Sequence, residues 1–357
     1  MIQLKTFNKK ELEDFISSGE FMQYDFLPVT KHRAVSQMNN PRASDEQTLL
    51  ILAFCEGKLA GYVGCFPDYF VIEGKKIQYA WLSTLYVTPE FQKKRPAKKL
   101  LLKVFEEYEG RIAITEFTKE AEALYMIMGV FDDVFPKEGK RYYFRTDAAG
   151  IIPEKRPKAR IGKPVFSVLD TVANSLISLK NLGIEKPDFK YETLDRADPE
   201  SIDFVSRFSN NRNAEEINTF IDHPWILEGE KDAKYFFSSF AQDFKYFWVK
   251  IYDDHQLTSC LLLQLRDGYL KMPYLFSETD HEKIVCFLSY FIIEHKVKGF
   301  TSYHTKLNEA IQKSKVFPKI HERRFRREYL FHKQLLEILP EHFNPDFQDG
   351  DGDCMMT

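Results

Sequence analysis

The sequence predicts a mixed α/β fold, an α+β arrangement around a mixed sheet, laid out in two successive domains. Alternating runs such as Leu49–Phe54 and Leu59–Phe66 flank the turn Glu56-Gly57-Lys58, which marks a hairpin. Segments with helical spacing, such as Lys98–Tyr108 with Leu101, Leu102 and Phe105 on one side, alternate with those strands. The same succession of elements then returns from about Phe189 onward.

In order, Ile2–Phe7 reads as a strand and Lys9–Ser18 as a helix carrying Leu12, Phe15 and Ile16. A short helix is expected near Val29–Gln37. After the first hairpin, Glu73-Gly74-Lys75 turns the chain into the strand Ile77–Val87. The helix Lys98–Tyr108, the strand Arg111–Phe117, the helix Ala121–Met128 and the strand Arg141–Arg145 complete a first domain over 1–148. Two prolines among charges in Pro153–Arg160 predict an extended connection, followed by a bridging helix near Val165–Leu179, within a linker over 149–188. A second domain over 189–340 repeats the order: a strand, a helix, a hairpin around Asp253-Asp254-His255, the strand Tyr269–Phe276, the helix His281–His295, and two further strands. Residues 341–357 are expected to form an acidic flexible tail. Its run Asp349-Gly350-Asp351-Gly352-Asp353 leaves no room for the last ligand of a calcium loop.

With 357 residues and a 44% hydrophobic share, the chain can fill two cores. A net charge of −3 gives no signature of nucleic-acid or membrane-surface binding. The longest apolar run, Ile284–Ile293, falls short of the ~20 residues of a membrane helix. With no apolar segment after MIQLKTFNKK, the expected location is the cytoplasm. Five scattered cysteines show no metal-ligand spacing, so neither a metal nor structural disulfides are expected.

The functional signal lies at Leu85–Lys98. A strand runs there into a basic turn that opens a helix, and unpaired N–H groups at helix openings attract phosphate. Lys93, Lys94, Arg95, Lys98 and Lys99 place cations at the same corner. Leu85-x-Val87-x-Pro89-x-x-Gln92-x-x-Arg95-x-Ala97 resembles the acyl-CoA-binding motif of the GNAT superfamily of N-acetyltransferases, Gln/Arg-x-x-Gly-x-Gly/Ala. Thr118-x-x-Ala121-x-Ala123-Leu124-Tyr125-x-x-x-Gly129 is similar to a second segment of that superfamily, and the likeness covers residues 1–147.

The resemblance implies tandem GNAT-like domains with the first better preserved. It further implies a cofactor, acetyl-CoA or another acyl-CoA, whose pantetheine arm lies along Leu85 and Val87. Gln92, Lys93, Lys94, Arg95, Ala97 and Lys98 would receive the diphosphate. Tyr125 would be a general acid beside the sulphur. Arg95 stands where the motif has glycine, and Pro96 has no N–H to donate. The second domain has Ser277-Glu278-Thr279-Asp280 at the corresponding turn, which suits a helix cap and not a phosphate.

An amine acceptor must lose a proton before it attacks. Strand Ile77–Val87 supplies no carboxylate, which leaves Glu116 as the nearest candidate base and Asp68 as another. The function expected is direct acyl transfer in a ternary complex to a small-molecule or peptide amine. The alternatives are an inactive GNAT-like binding module and, by two-domain architecture alone, a Fem-like aminoacyl or peptidyl transferase. No nucleic-acid or membrane partner is expected.

Overall fold

The computed structural model describes residues 1–208, 212–230 and 234–356. The chain forms β1 (Ile2–Phe7), α1 (Lys9–Ser17), α2 (Lys31–Met38), β2 (Leu50–Cys55), β3 (Lys58–Ile72), β4 (Lys75–Val87), α3 (Pro96–Glu107), β5 (Ile112–Thr115), α4 (Lys119–Met128) and β6 (Phe131–Tyr143). It continues through α5 (Ala148–Lys155), α6 (Lys163–Lys180), β7 (Tyr191–Leu194), α7 (Pro199–Val205), α8 (Ala214–Asp222), β8 (Leu227–Glu228) and β9 (Phe240–Ala241). The last elements are β10 (Phe244–Asp253), β11 (Gln256–Arg266), β12 (Tyr269–Ser277), α9 (Glu282–Glu294), β13 (Gly299–Ser302), α10 (Thr305–Lys313), β14 (His321–His332) and α11 (Lys333–Glu337).

Local chemistry explains the boundaries. Asn8 and Glu11 form a reciprocal capping box at α1, and Thr30 and Thr118 cap α2 and α4 through their hydroxyls. The two-residue loops Glu56-Gly57 and Glu73-Gly74 have positive φ at both positions, as do Asp254-His255 and Asp267-Gly268. That backbone matches the twist of the strands it joins, so each loop sets a tight hairpin.

The chain divides into two compact units that do not follow its order. Unit 1 comprises Met1–Lys137, Ser209–Gln242 and Arg327–Thr357; unit 2 comprises Glu138–Phe208 and Asp243–Arg326. In unit 1, β1, β2, β3 and β4 pair antiparallel in turn, β4 pairs parallel with β5, and β5 pairs antiparallel with β14. In unit 2 the same sequence of pairings runs β7, β10, β11, β12, parallel to β13, then antiparallel to β6. The two units repeat one strand topology, and each series ends on a strand contributed by the other half of the sequence. The expected boundaries at 148 and 189 therefore need redrawing: β14 completes the series of unit 1 and β6 that of unit 2.

Two further expectations are corrected. Pro153–Arg160 is not extended, because α5 and a 3-10 turn over Pro157–Gly162 occupy it. Pro153 sits inside α5, a helix of only 8 residues. Nor is the C-terminal segment a loose tail: Phe347, Cys354, Met355 and Met356 are buried, and Phe347 stacks on Tyr329 with ring centroids 4.7 Å apart. Its apolar side chains outweigh the entropy of leaving it free.

The core of unit 2 gathers Leu261, Leu263, Ile284, Leu288, Phe300 and Leu307 around α9. Unit 1 has one cluster under α1 and α2 and another under α3 and α4. A charged hub also sits inside unit 1. Asp68, in β3, accepts hydrogen bonds from Arg42 Nη1 (2.7 Å), Arg212 Nη2 (3.1 Å) and Trp81 Nε1 (2.9 Å). Arg42 also grips Glu216 of α8 in a two-point contact (2.8 and 2.7 Å), and Arg212 donates to the Gly352 carbonyl at 3.0 Å. The segment carrying α8 and the C-terminal segment are thus both tied to β3.

Burial alone would raise the Asp68 carboxyl, but Arg212 and Arg42 more than offset this and hold it below the usual carboxylate range. A depressed carboxyl contributes stability above its unfolded value, about pH 4, and loses it as pH falls through the folded value. Removing one member leaves buried charge uncompensated. Asp68→Ala is expected to cost about 3–5 kcal/mol by urea unfolding at neutral pH, with less difference from wild type under acid conditions.

Candidate functional site

Strands β4 and β5 are in register only at Ala80↔Ile112 and Trp81↔Ala113. Beyond Trp81 they part, so the β5-facing side of β4 from Ser83 to Val87 has no strand partner among the described residues over about 15 Å. The parting starts at an irregularity. Tyr62 pairs with Tyr86 and Gly64 with Ser83, so Thr84 and Leu85 together oppose Val63 in a bulge. Thr84 has φ 55°. Glycine at 61 and 64 lets β3 approach, since an added Cβ would lie 2.5 Å from the Tyr86 carbonyl oxygen or 2.8 Å from that of Ser83.

After Val87 a 3-10 turn, Pro89–Lys94, leads to Arg95, whose left-handed conformation (φ 60°, ψ 43°) precedes α3. An arginine here pays the strain that glycine would avoid. The Arg95 N–H is spent on the Gln92 carbonyl at 3.0 Å, and Pro96 has none. No side chain caps α3, which leaves the amides of Ala97 and Lys98 pointing outward from its first turn. Gln92, Lys93, Arg95, Lys98 and Lys99 are exposed, and these four cations form no ion pair among the described residues. Lys94 differs, because its ammonium is taken by Glu56. Leu85 and Val87 lie half-buried on the open stretch of β4. The residues expected at the diphosphate corner thus lie around one turn, with Lys94 engaged by Glu56 and the amides of Ala97 and Lys98 at the start of α3.

Tyr125 is buried on α4 between Phe117 and Phe131, edge-on to both. Burial alone pushes its phenol up, so it keeps its proton at neutral pH.

The two carboxylates expected as bases are otherwise occupied. Asp68 is the hub described above. Glu116, at φ 51° after β5, accepts from Arg327 Nη2 at 2.7 Å. Burial opposes the Arg327 charge, yet Cys354 and Glu116 among its neighbours hold the guanidinium protonated.

A different carboxyl stands at the bulge. Asp353 is hydrogen-bonded by the Ser83 hydroxyl, which itself receives Arg33 Nη2 at 2.6 Å. Burial raises the Asp353 carboxyl, against the lowering pull of Ser83 and Arg33. Arg33 is buried with its guanidinium 3.7 Å above the Trp225 ring. The hydroxyl of Tyr62 and the side-chain carbonyl of Gln37 are buried without a hydrogen-bond partner among the described residues. Unsatisfied polar groups of this kind suit a bound polar molecule or water. Sequence reading missed Asp353 because its acidic, glycine-containing surroundings read as a mobile tail. The apolar Cys354-Met355-Met356 beside it was the available signal.

Unit 2 repeats the parting without the phosphate chemistry. β12 and β13 pair only at Tyr269–Lys271 with Gly299–Thr301. The start of α9 carries Asp280 and Glu282, beside a cavity of 640 Å³ also lined by Glu309, Lys306 and Lys313. Carboxylates at the positive end of a helix dipole repel phosphate.

Residues 14–130 match the model of the acetyltransferase (GNAT) family. No curated protein matches the chain by sequence. Among solved structures, a GCN5-related N-acetyltransferase from Anabaena variabilis superposes with a TM-score of 0.51 at 9% identity, over 92% of this chain and 72% of that one. A protein from Enterococcus faecalis described as a probable N-acyltransferase gives 0.51 at 10% identity, over 92% and 72%. At these identities the likeness shows the fold, a mixed α/β fold shared with GNAT proteins. None of the helices among the described residues is long and apolar enough to cross a membrane.

Gly64→Ala presses a Cβ against the backbone of the bulge. It is expected to cost about 1–3 kcal/mol, read as a lower urea midpoint at unchanged m-value.

Proposed function

We propose that unit 1 is an acyltransferase that takes an acyl group from an acyl-CoA and delivers it to an amine. The observation that carries this reading is the opening between β4 and β5, bordered by the uncapped start of α3 and its unpaired cations. The amides of Ala97 and Lys98, with Lys93, Arg95 and Lys98 side chains, would hold the diphosphate. The open edge at Leu85 and Val87 would receive the amide groups of the pantetheine arm. An acyl thioester supplies an electrophilic carbonyl and a thiolate leaving group.

Residues at the bulge and on α4 handle the protons. Asp353 takes one from the acceptor ammonium, directly or through water, and frees the nitrogen lone pair to attack. Ser83 and Arg33 fix the orientation of that carboxylate. As the C–N bond forms and the C–S bond breaks, Tyr125 gives its phenolic proton to the sulphur, and the proton removed from nitrogen restores the balance through solvent. The buried, unsatisfied hydroxyl of Tyr62 and side-chain carbonyl of Gln37 favour an acceptor with polar groups beside its amine, a small molecule or a peptide terminus.

A binding module without turnover is the second reading, favoured by the strained Arg95 and by Pro96. It differs by giving acyl-CoA binding with no transfer to any amine.

Two measurements test the assignment. Lys98→Glu places a carboxylate in the first turn of α3, where it favours the helix but repels phosphate. Isothermal titration should show acetyl-CoA binding weakened about tenfold or more, and a wild type that does not bind would overturn the cofactor assignment. Asp353→Asn should lower kcat by about 10²-fold or more while leaving acetyl-CoA affinity unchanged. In the wild type, kcat/KM should rise with pH through an acid limb above the ordinary carboxylate range, and that limb should vanish in the variant. Transfer with an unaltered acid limb in the variant would remove Asp353 from the base role.

A further inference from the structure

Helix α6 turns its more polar side toward the rest of unit 2 and its apolar side toward solvent. Val165, Val168, Leu169, Val172, Leu176 and Leu179 recur at helical spacing along one stripe and are between 56 and 63% exposed. Ile161, 92% exposed, and Leu182, 75% exposed, extend the stripe at its ends. The half-buried side instead carries Phe166, Asp170, Ala173, Asn174 and Ile177.

Hydrogen bonds hold the helix in this orientation. Asp170 accepts from the backbone N–H groups of Ala148 (3.0 Å) and Ala149 (2.8 Å). Asn174 accepts from the Thr146 N–H at 2.9 Å and donates to the Thr146 carbonyl at 3.0 Å. Rotating the stripe inward would break all four. A continuous apolar stripe of this length, rimmed by polar side chains, marks a docking surface.

The charges around it select the occupant. Lys155, Arg156, Lys158, Arg160 and Lys163 precede or open the helix, are exposed, and have no ion-pair partner among the described residues. From Glu154 to Lys180 the acidic residues are Glu154 and the inward-facing Asp170, against the six cations Lys155, Arg156, Lys158, Arg160, Lys163 and Lys180. A second copy of this chain packed along the stripe would bring these cations few acidic side chains and many like charges. We propose that α6 and the basic segment before it lie on a lipid bilayer with anionic headgroups, the apolar stripe entering the headgroup boundary and the cations meeting lipid phosphates. An apolar stripe and a polybasic patch are the two signals that together give stable peripheral attachment. The net charge of −3 hides this patch because the opposite charges lie elsewhere in the sequence.

Vesicle co-sedimentation of the full chain tests the proposal, with phosphatidylcholine vesicles and with vesicles containing ~30% phosphatidylserine. The wild type should pellet with the anionic vesicles and far less with the neutral ones. Leu169→Glu/Leu176→Glu and, separately, Arg156→Glu/Lys158→Glu should each lower partitioning by about tenfold or more. These positions are exposed, so circular dichroism, melting temperature and acetyl-CoA titration should match the wild type. Wild-type protein left in the supernatant with anionic vesicles, or variants that pellet like the wild type, would overturn the proposal. So would a monomer–dimer equilibrium in ultracentrifugation that the leucine variant abolishes while vesicles bind neither protein.

Discussion

The carboxylate of Asp68 is the constraint on which unit 1 depends. Two guanidiniums and an indole N–H converge on it, and a second carboxylate, Glu216, balances the charge. Two cations and two anions make the cluster neutral, which is what permits it to be buried. Its members come from β3, from the loop after α2, from the start of the α8 segment and from α8 itself. Arg212 further holds the Gly352 carbonyl, one residue before Asp353. The position of the carboxyl at the β4 bulge is therefore set by a charge pair formed elsewhere in the core. Dispersion and area burial would hold the C-terminal segment down; only the directed bonds fix its register.

The exchange of final strands is the second organising fact. β5 and β13 are short strands of 4 residues, each parallel to one neighbour and needing a second. That second neighbour is β14 in unit 1 and β6 in unit 2. Thr115 of β5 donates to the Glu328 carbonyl 213 residues away. Closing so long a loop costs entropy before any pairing rewards it. The first sheet therefore acquires its last strand late in synthesis, and until then β5 offers an open edge.

This also explains what was legible. The hairpins, the capped helices and the basic turn at Lys93–Lys98 are local, written in residues a few positions apart, and they were readable. Asp68 was partly readable, because Phe66, Asp68 and Phe70 share one face of β3 and a carboxylate between two core phenylalanines implies a buried partner. The exchange of β6 and β14 was not readable, because each strand has the same local pattern whichever sheet it joins. The C-terminal segment was misread by averaging: its acidic residues set the composition, whereas Phe347, Met355 and Met356 set its fate.

The two units show how little of a site the fold itself determines. In both, a parallel pair separates after two or three registered positions and a helix begins beyond the opening. The backbone thus provides the same gap and the same helix-end dipole twice. Unit 1 surrounds its helix start with Lys93, Arg95, Lys98 and Lys99, which add to the dipole; unit 2 sets Asp280 and Glu282 there, which cancel it. A few side chains at one turn, and not the topology, therefore separate a corner whose charges suit an anion from one whose charges oppose it. In unit 1, moreover, a segment from the far end of the chain brings a carboxyl to Ser83, and topology alone would not place it there.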